Sequence, residues 1–209
     1  KADREASEGA IKIVTEGNKA YVISVSCETD FLANSDRYKD MLNSVVELLK
    51  SGKTAEDAKA MIDSDYALEM WENLQVKDFV VYEWVNVWAY VHSNNKVAAL
   101  VLSKVACDDE KLKQVAMHIT AANPEFLAAS DISSEVIEKE KSIQLEMMKN
   151  DPKMAGKPDE VLLKIIEGKM SKFASEVSLL EQAFVINPDQ KVKDFIWNDS
   201  IKAFYRFTI

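Results

Sequence analysis

Two segments of this sequence follow the same order of predicted elements, and this repetition constrains the fold more than any other feature. They are EGNKAYVISVSCETD (16–30) and SNNKVAALVLSKVACDDE (93–110). Each has a polar turn, an apolar strand that runs to a cysteine, then acidic residues and a helical pattern. Such an internal repeat predicts an α+β fold of two related subdomains, in which helices cover antiparallel sheets. Chance recurrence of a common motif is the alternative.

The first repeat predicts a β-hairpin followed by a helix. Strands are expected at 10–14 and 21–27, around a turn at 16–18. Alternate residues of the second strand share one face, namely Tyr21, Ile23, Val25 and Cys27. Ser35 or Asp36 can cap the helix, which ends at Gly52. Its apolar side has helical spacing and comprises Tyr38, Met41, Leu42, Val45, Val46 and Leu49.

The following residues predict a second helical region and then a second set of strands. The helical region spans 54–73 and should break near Asp63 and Ser64, where capping residues cluster. Strands are expected at 76–84, 85–92, 96–105 and 201–209, the last one adding to the second sheet. A helix after Asp108 has an apolar side formed by Leu112, Val115, Ala116 and Ile119.

Two long charged helices, Ser133 to Lys149 and Asp159 to Phe173, flank a proline-containing break. This pattern predicts a helical hairpin, at about 133–173, that packs on itself and projects from the body. The expected contact residues are Val136, Ile137, Ile143 and Met147 against Leu162, Ile165, Ile166 and Met170. The predicted domains are an N-terminal core subdomain, 1–75, and a C-terminal core subdomain, 76–209, into which the hairpin is inserted.

Charge and composition disfavour several classes of function. The formal net charge of −9 argues against direct nucleic-acid binding, which depends on clustered Lys and Arg. Only five glycines occur, and neither GxGxxG nor GxxxxGK[ST] is present, so a nucleotide in this biology would be held by a partner. No apolar run approaches the roughly 18 residues of a membrane span, and KADREASEGA lacks the apolar core of a signal peptide. We expect a cytoplasmic protein without membrane contact.

The sequence offers no candidate for catalysis, for a cofactor or for a metal. The only histidines, His92 and His118, lie in no recognisable motif, and His118 is expected at the boundary of the core. Cys27 and Cys107 lack metal-ligand spacing and are interpreted as reduced core residues. The acidic neighbours of Cys27 disfavour a thiolate nucleophile. Pairs of carboxylates are typical of a solvated face in so acidic a chain, so we predict no enzyme.

The stretch SCETDFLANSD (26–36) places Asp30 and Phe31 between a strand and a helix, where small polar residues are usual. Two interpretations compete. Phe31 can pack beneath the following helix as a hydrophobic staple, with Asp30 as a turn residue. Alternatively, Phe31 protrudes as a rigid anchor that fills a pocket of a partner. The physics of the residues alone favours the staple, because aromatic side chains are more often core than interface anchors.

The stretch CETDFLANSDRYKDML resembles the Cys-[acid/amide]-TDF[VL]A signature of the elongation factor Ts family. Further segments resemble the family in the expected order, and the similarity covers essentially the whole sequence. They are EGAIK (8–12), AMHITAANPEFL (116–127), EVIEKE (135–140), EGKMSKFASEVSLLEQAFV (167–185) and Arg206-Phe207. The resemblance implies two related α+β subdomains with an inserted antiparallel helical hairpin.

The resemblance also implies a guanine nucleotide exchange factor that releases GDP from GDP-bound elongation factor Tu during translation elongation. In the family, the Asp-Phe pair enters a crevice between helices of the partner's GTPase domain and disturbs its switch region and Mg²⁺ site. Phe31 then becomes the wedge and Asp30 its polar companion, which reverses the order of the two interpretations. The implied partner-binding residues are Thr29, Asp30, Phe31, Leu32, Met70 and His92. An interaction module of this fold without exchange activity is the alternative, and a homodimer or a 2:2 complex stays open.

The sequence departs from the family at three places. The GENI element of the family is Trp71-Glu72-Asn73-Leu74 here, with tryptophan in place of glycine. Ala183 stands where the family tends to have proline. The family's amino-terminal three-helix, ubiquitin-associated-like module has no counterpart in this sequence. Because that module also grips the GTPase domain, weaker binding and slower exchange than in a full-length factor are expected.

Overall fold

The computed structural model describes residues 3–197 and 199–209. The strands are β1 (Glu8–Glu16), β2 (Lys19–Cys27), β3 (Gln75–Glu83), β4 (Asn86–Val91), β5 (Val97–Ser103), β6 (Ala183–Phe184), β7 (Asn187–Lys191) and β8 (Ile201–Thr208). The helices are α1 (Asp30–Ala33), α2 (Asp36–Lys50), α3 (Ala55–Asp65), α4 (Ala67–Met70), α5 (Asp109–Ala122), α6 (Ser134–Lys149), α7 (Asp159–Val177) and α8 (Val192–Phe195). No helix in these ranges is both long and apolar enough to cross a membrane.

The predicted α+β class is confirmed. One antiparallel sheet has the strand order β1-β2-β3 and a second has the order β4-β5-β8. Both sheets follow one plan, in which a hairpin supplies the edge and central strands and the third strand returns only after helices. The prediction that residues 201–209 complete the second sheet is confirmed by the pairing of β8 with β5.

Strand β2 is buried on both of its faces. Successive side chains of a strand point to opposite sides, so alternate residues of β2 belong to two different cores. One face packs with α2 and α3 in a first core, to which Tyr21, Ile23, Val25 and Cys27 belong, as predicted. The other face, with Ala20 and Val22, packs against β5 and β8 of the second sheet in a second core. The near-continuous apolar run of β2 is typical of a strand buried on both sides.

Contacts within the chain define two compact units. One extends to Ala121 and includes Asp199–Ile209, and it holds both three-stranded sheets. The other begins at Ala122 and ends before Asp199, and it contains α6, α7, α8 and the small β6-β7 sheet. Strand β3 begins at Gln75 and pairs with β2 in the first sheet. The division into subdomains at residue 75 stays a prediction.

Helices α6 and α7 pack against each other and form the predicted hairpin. On α7, Ile166 is buried and Leu162, Ile165 and Met170 are partly buried, as expected. On α6 Val136 is partly buried, as expected, but three predicted residues, Ile137, Ile143 and Met147, are exposed, and Met148 is the buried residue. The less exposed face of α6 includes Glu140 and Gln144, whose side chains are hydrogen-bonded at 2.8 Å, so the apolar pattern did not mark it.

Candidate functional site

Thr29, Asp30 and Phe31 form an exposed corner where β2 turns into α1. The Thr29 side chain caps α1 by accepting from the Leu32 backbone N–H at 3.3 Å, which satisfies one free donor of the helix start. Phe31 is 86% exposed, so the staple interpretation was wrong. Within the single turn of α1 the inward positions are taken by Leu32, half-buried, and Ala33, buried. This leaves Asp30 and Phe31 on the solvent side.

Cys27 lies just before this corner, at the end of β2, and it is fully buried, as predicted. Its thiol donates to the backbone carbonyl of Thr29 at 3.2 Å. Desolvation by burial raises the pKa of Cys27 to about 11, and the negative charge of Glu72 adds to this effect. The thiol is therefore protonated at neutral pH and lacks the thiolate that a nucleophile needs.

The carboxylate of Glu72 reaches the corner from a segment far along the chain. Oε2 accepts from the backbone N–H of Glu28 at 2.7 Å and of Thr29 at 3.0 Å. Oε1 accepts from the Thr29 hydroxyl at 2.5 Å. Sequence reasoning assigned no role to this residue. The only signal was its place in the element that resembles GENI, because no local pattern shows that residues 28–29 and 72 meet.

Asn73 and Arg4 extend this network behind the corner. The Asn73 backbone N–H donates to Glu28 Oε1 at 2.6 Å, and Arg4 Nη2 pairs with the same oxygen at 3.1 Å. The Asn73 side chain donates to the Arg4 carbonyl at 2.6 Å. Arg4 Nη2 also donates to the Trp71 carbonyl at 3.0 Å. Glu72 and Asn73 are thus hydrogen-bonded to residues 28–29, between β2 and α1, and Trp71 is hydrogen-bonded to Arg4.

Helix α4 ends at Trp71, a residue in the left-handed conformation, and Glu72 follows directly. Trp71 has φ 60° and ψ 14°, a conformation in which glycine is favoured, and its side chain is 70% exposed. Met70, just before it, is half-buried against the first core. The helical region before this turn breaks at Tyr66, two residues beyond the predicted pair Asp63 and Ser64.

His92 lies at the end of β4, exposed, with its Nδ1 3.0 Å from the Tyr90 hydroxyl. The turn after it is tied to the first sheet, because the Ile11 backbone N–H donates to the Asn95 carbonyl at 2.7 Å. A recess of about 220 Å³ lies between this turn and α1, with Asn95 and Ala33 among its lining residues. The structure therefore places the turn after His92 and the helix that carries Phe31 on the rim of one recess.

The remaining singled-out residues lie outside this corner. His118 is fully buried on α5, so its expected boundary position was wrong, since the apolar side of α5 is wider than the spacing indicated. Both cysteines are free, and Cys107 is half-buried rather than a core residue. In the parts of the chain that the structure describes, no group of three or more His, Cys, Asp or Glu residues could hold a metal ion. Ala183 is exposed in β6.

Comparison with known proteins gives the family. A model of the family described as Elongation factor TS matches residues 28–209. Elongation factor Ts of Spiroplasma citri is 37% identical over 217 residues, covering 97% of this chain and 73% of the relative. Elongation factor Ts of Pseudomonas entomophila is 41% identical, covering 92% and 67%, and that of Klebsiella pneumoniae is 35% identical, covering 100% and 74%. The chain therefore belongs to the elongation factor Ts family of translation elongation factors.

Proposed function

We propose that this chain is a guanine nucleotide exchange factor that binds GDP-bound elongation factor Tu and promotes release of GDP, with Phe31 as the wedge and Asp30 as its polar companion. The observation that carries the proposal is the exposure of Phe31, 86%, on a corner whose supporting residues are buried or hydrogen-bonded. A large aromatic side chain that is exposed to water is typical of an interface anchor, which fills an apolar pocket of a partner. Its full burial in a partner would contribute about 1.5–3 kcal/mol.

The proposed mechanism is a shift between conformations of the partner. Phe31 enters a crevice between helices of the GTPase domain, with the Asp30 carboxylate beside it, and disturbs the switch region and the Mg²⁺ site. Because GDP is held largely through its phosphates and Mg²⁺, a factor that prefers the disturbed state raises the population that releases GDP. No bond is made or broken, so the mechanism calls for no catalytic group and no cofactor on this chain.

Exchange by this route must be reciprocal. If the factor weakens GDP binding by a given ratio, GDP weakens binding of the factor by the same ratio, since both describe one coupling free energy. The complex should therefore be long-lived without nucleotide and short-lived with it.

The other predicted contact residues have distinct places in this proposal. Thr29 and Leu32 hold the corner, through the cap on α1 and through partial burial against the first core. Met70 lies beside the turn that supports the corner, and His92 is exposed next to the turn that lines the recess beside α1. We propose that Met70 and His92 also contact the partner.

Release of fluorescently labelled GDP from elongation factor Tu, with and without this chain, tests the proposal. We expect the chain to accelerate release and Phe31→Ala to lower that acceleration about 30-fold, because an interface aromatic of hot-spot type is worth about 2 kcal/mol. The matched control is Val85→Ala, which truncates another exposed apolar side chain, 71% exposed, between β3 and β4.

Two results would contradict the proposal. If the chain binds elongation factor Tu without accelerating release, it is an interaction module of the same fold. If Phe31→Ala accelerates release as well as the parent, exchange does not depend on this wedge.

A further inference from the structure

We propose that Glu72 is a positioning residue, which fixes the direction in which Asp30 and Phe31 project by holding the backbone and hydroxyl of Thr29. The proposal rests on the proposed function for its consequence in exchange, whereas the positioning itself concerns the free chain. It assigns a role to a residue outside the predicted set of partner-binding residues.

The need for external support follows from the size of α1. This helix has four residues, Asp30–Ala33, and so short a helix does not hold its own shape in water. Phe31 cannot fix its own direction either, because an 86% exposed ring has almost no packing contacts to lose. After Phe31 the corner is held by Leu32 and Ala33, which pack in the first core, and by Ser35, which bonds to the Leu32 carbonyl. Before Asp30 it depends on Thr29 and on the groups that contact Thr29.

Glu72 supplies the support before α1. Its two carboxylate oxygens accept from two successive backbone N–H groups, at 2.7 and 3.0 Å, and from the Thr29 hydroxyl, at 2.5 Å. Hydrogen bonds to an ionised acceptor are stronger than neutral ones. Since the Thr29 hydroxyl also accepts from the Leu32 N–H, the carboxylate orients the group that caps α1. In this proposal Thr29 therefore supports the wedge through hydrogen bonds within the chain.

Glu72 is itself held on both sides. Before it, the left-handed turn at Trp71 reverses the chain, and the Trp71 carbonyl accepts from Arg4. After it, Asn73 bonds to Glu28 Oε1 at 2.6 Å and Leu74 is buried in the first core. A carboxylate anchored in this way is preorganised, so the corner loses little conformational freedom when a partner binds it.

Amide hydrogen exchange in the free chain tests the positioning directly. In Glu72→Ala, the amides of Glu28 and Thr29 lose their acceptor, so we expect these and the α1 amides to exchange at least about tenfold faster, while those of α2 keep their rates. Glu72→Gln keeps one acceptor oxygen and should show a smaller effect. The control is Glu69→Gln, three positions before Glu72, which removes a surface carboxylate that is paired with Arg37. It should leave the corner unchanged. Unchanged protection of residues 28–33 in Glu72→Ala would overturn the proposal.

A double-mutant cycle on stimulated GDP release tests the consequence. Glu72→Ala should lower the stimulated rate about tenfold, yet add little in the Phe31→Ala background, because the two residues act through one contact. Full additivity would show a merely structural role and overturn the assignment. If the parent chain fails to stimulate release, the proposed function fails, and the hydrogen-exchange result still decides whether Glu72 positions the corner. Should Glu72→Ala not fold, the Glu72→Gln variant carries both measurements.

Discussion

Trp71 adopts a backbone conformation that does not suit its residue type. At φ 60° the Cβ of an L-residue crowds the following carbonyl, which costs about 1–2 kcal/mol that glycine avoids. The turn nevertheless brings the Glu72 carboxylate within hydrogen-bond distance of the backbone N–H groups of Glu28 and Thr29. Strain of this size persists where the surrounding structure enforces it, and here Arg4 and Asn73 hold the segment on either side.

Two substitutions separate the backbone of Trp71 from its indole ring. Trp71→Gly and Trp71→Ala both remove the ring, but only glycine relieves the left-handed strain. We expect the glycine variant to be more stable than the alanine variant by about 1 kcal/mol, measured by urea denaturation. Equal stabilities would mean that the turn relaxes without Trp71 and that the conformation is not enforced by its neighbours.

At the residue scale the sequence predicted some positions and missed others for clear reasons. The burial of Cys27 followed from the alternation along β2, which is a local property. The exposure of Phe31 did not follow from the residues, and only the family resemblance favoured it. The contacts of Glu72 were not predicted at all, since they depend on a chain reversal and on a partner segment more than forty positions earlier.

Helix α2 begins at the cap that the sequence indicated. Ser35 Oγ accepts from the Tyr38 backbone N–H at 3.2 Å and donates to the Leu32 carbonyl at 2.7 Å. The second bond joins the end of α1 to the start of α2. The hydroxyl thus satisfies a free donor of α2, and it adds a second bond to the Leu32 carbonyl, which also accepts from the Ser35 backbone N–H at 2.9 Å.

Removal of this hydroxyl should weaken the start of α2, because the Tyr38 N–H loses its acceptor. We expect Ser35→Ala to lower the free energy of unfolding by about 1 kcal/mol, the usual cost of a lost N-cap. The matched control is Ser142→Ala in the middle of α6, where the hydroxyl only bonds the Glu138 carbonyl, and where alanine should be neutral or slightly stabilising. Thermal or urea unfolding measures both, and equal effects would refute the capping role.

Helical periodicity succeeded where the inward face of a helix is apolar. On α2 all six predicted residues are buried, and on α5 all four are. On α6 it failed for three of four residues, because the partly buried face contains polar residues, Glu140 and Gln144, beside Val136. The pattern of apolar residues then marks the wrong side.

The first unit is built around a strand that serves two cores. Strand β2 contributes Ile23 to the first core and Val22 to the second, which it shares with Leu100 on β5. The central strands of both sheets therefore stabilise each other. We infer that the two sheets unfold together.

A substitution in the shared core tests this coupling. Leu100→Ala should lower the free energy of unfolding by about 3 kcal/mol, the typical cost of a cavity left by a fully buried leucine. Amide hydrogen exchange should show the same loss for β2 as for β5. Leu163→Ala, at an exposed position of α7, is the control and should change stability by less than about 0.5 kcal/mol. A loss confined to β5 would show that the sheets unfold independently.

The sequence by itself determined the α+β class, the repeated hairpin-to-helix order, the burial of Cys27 and, through its motifs, the family. These features depend on local periodicity, on capping residues and on motifs, all of which are written in contiguous residues. Only the tertiary structure decided that β2 is shared between two cores, that Phe31 stands free of its own helix, and that Glu72 holds the corner beneath it. Those features depend on which distant segments come into contact. The free energy that favours one set of contacts is the sum over the whole packed chain, so no short stretch of sequence contains it.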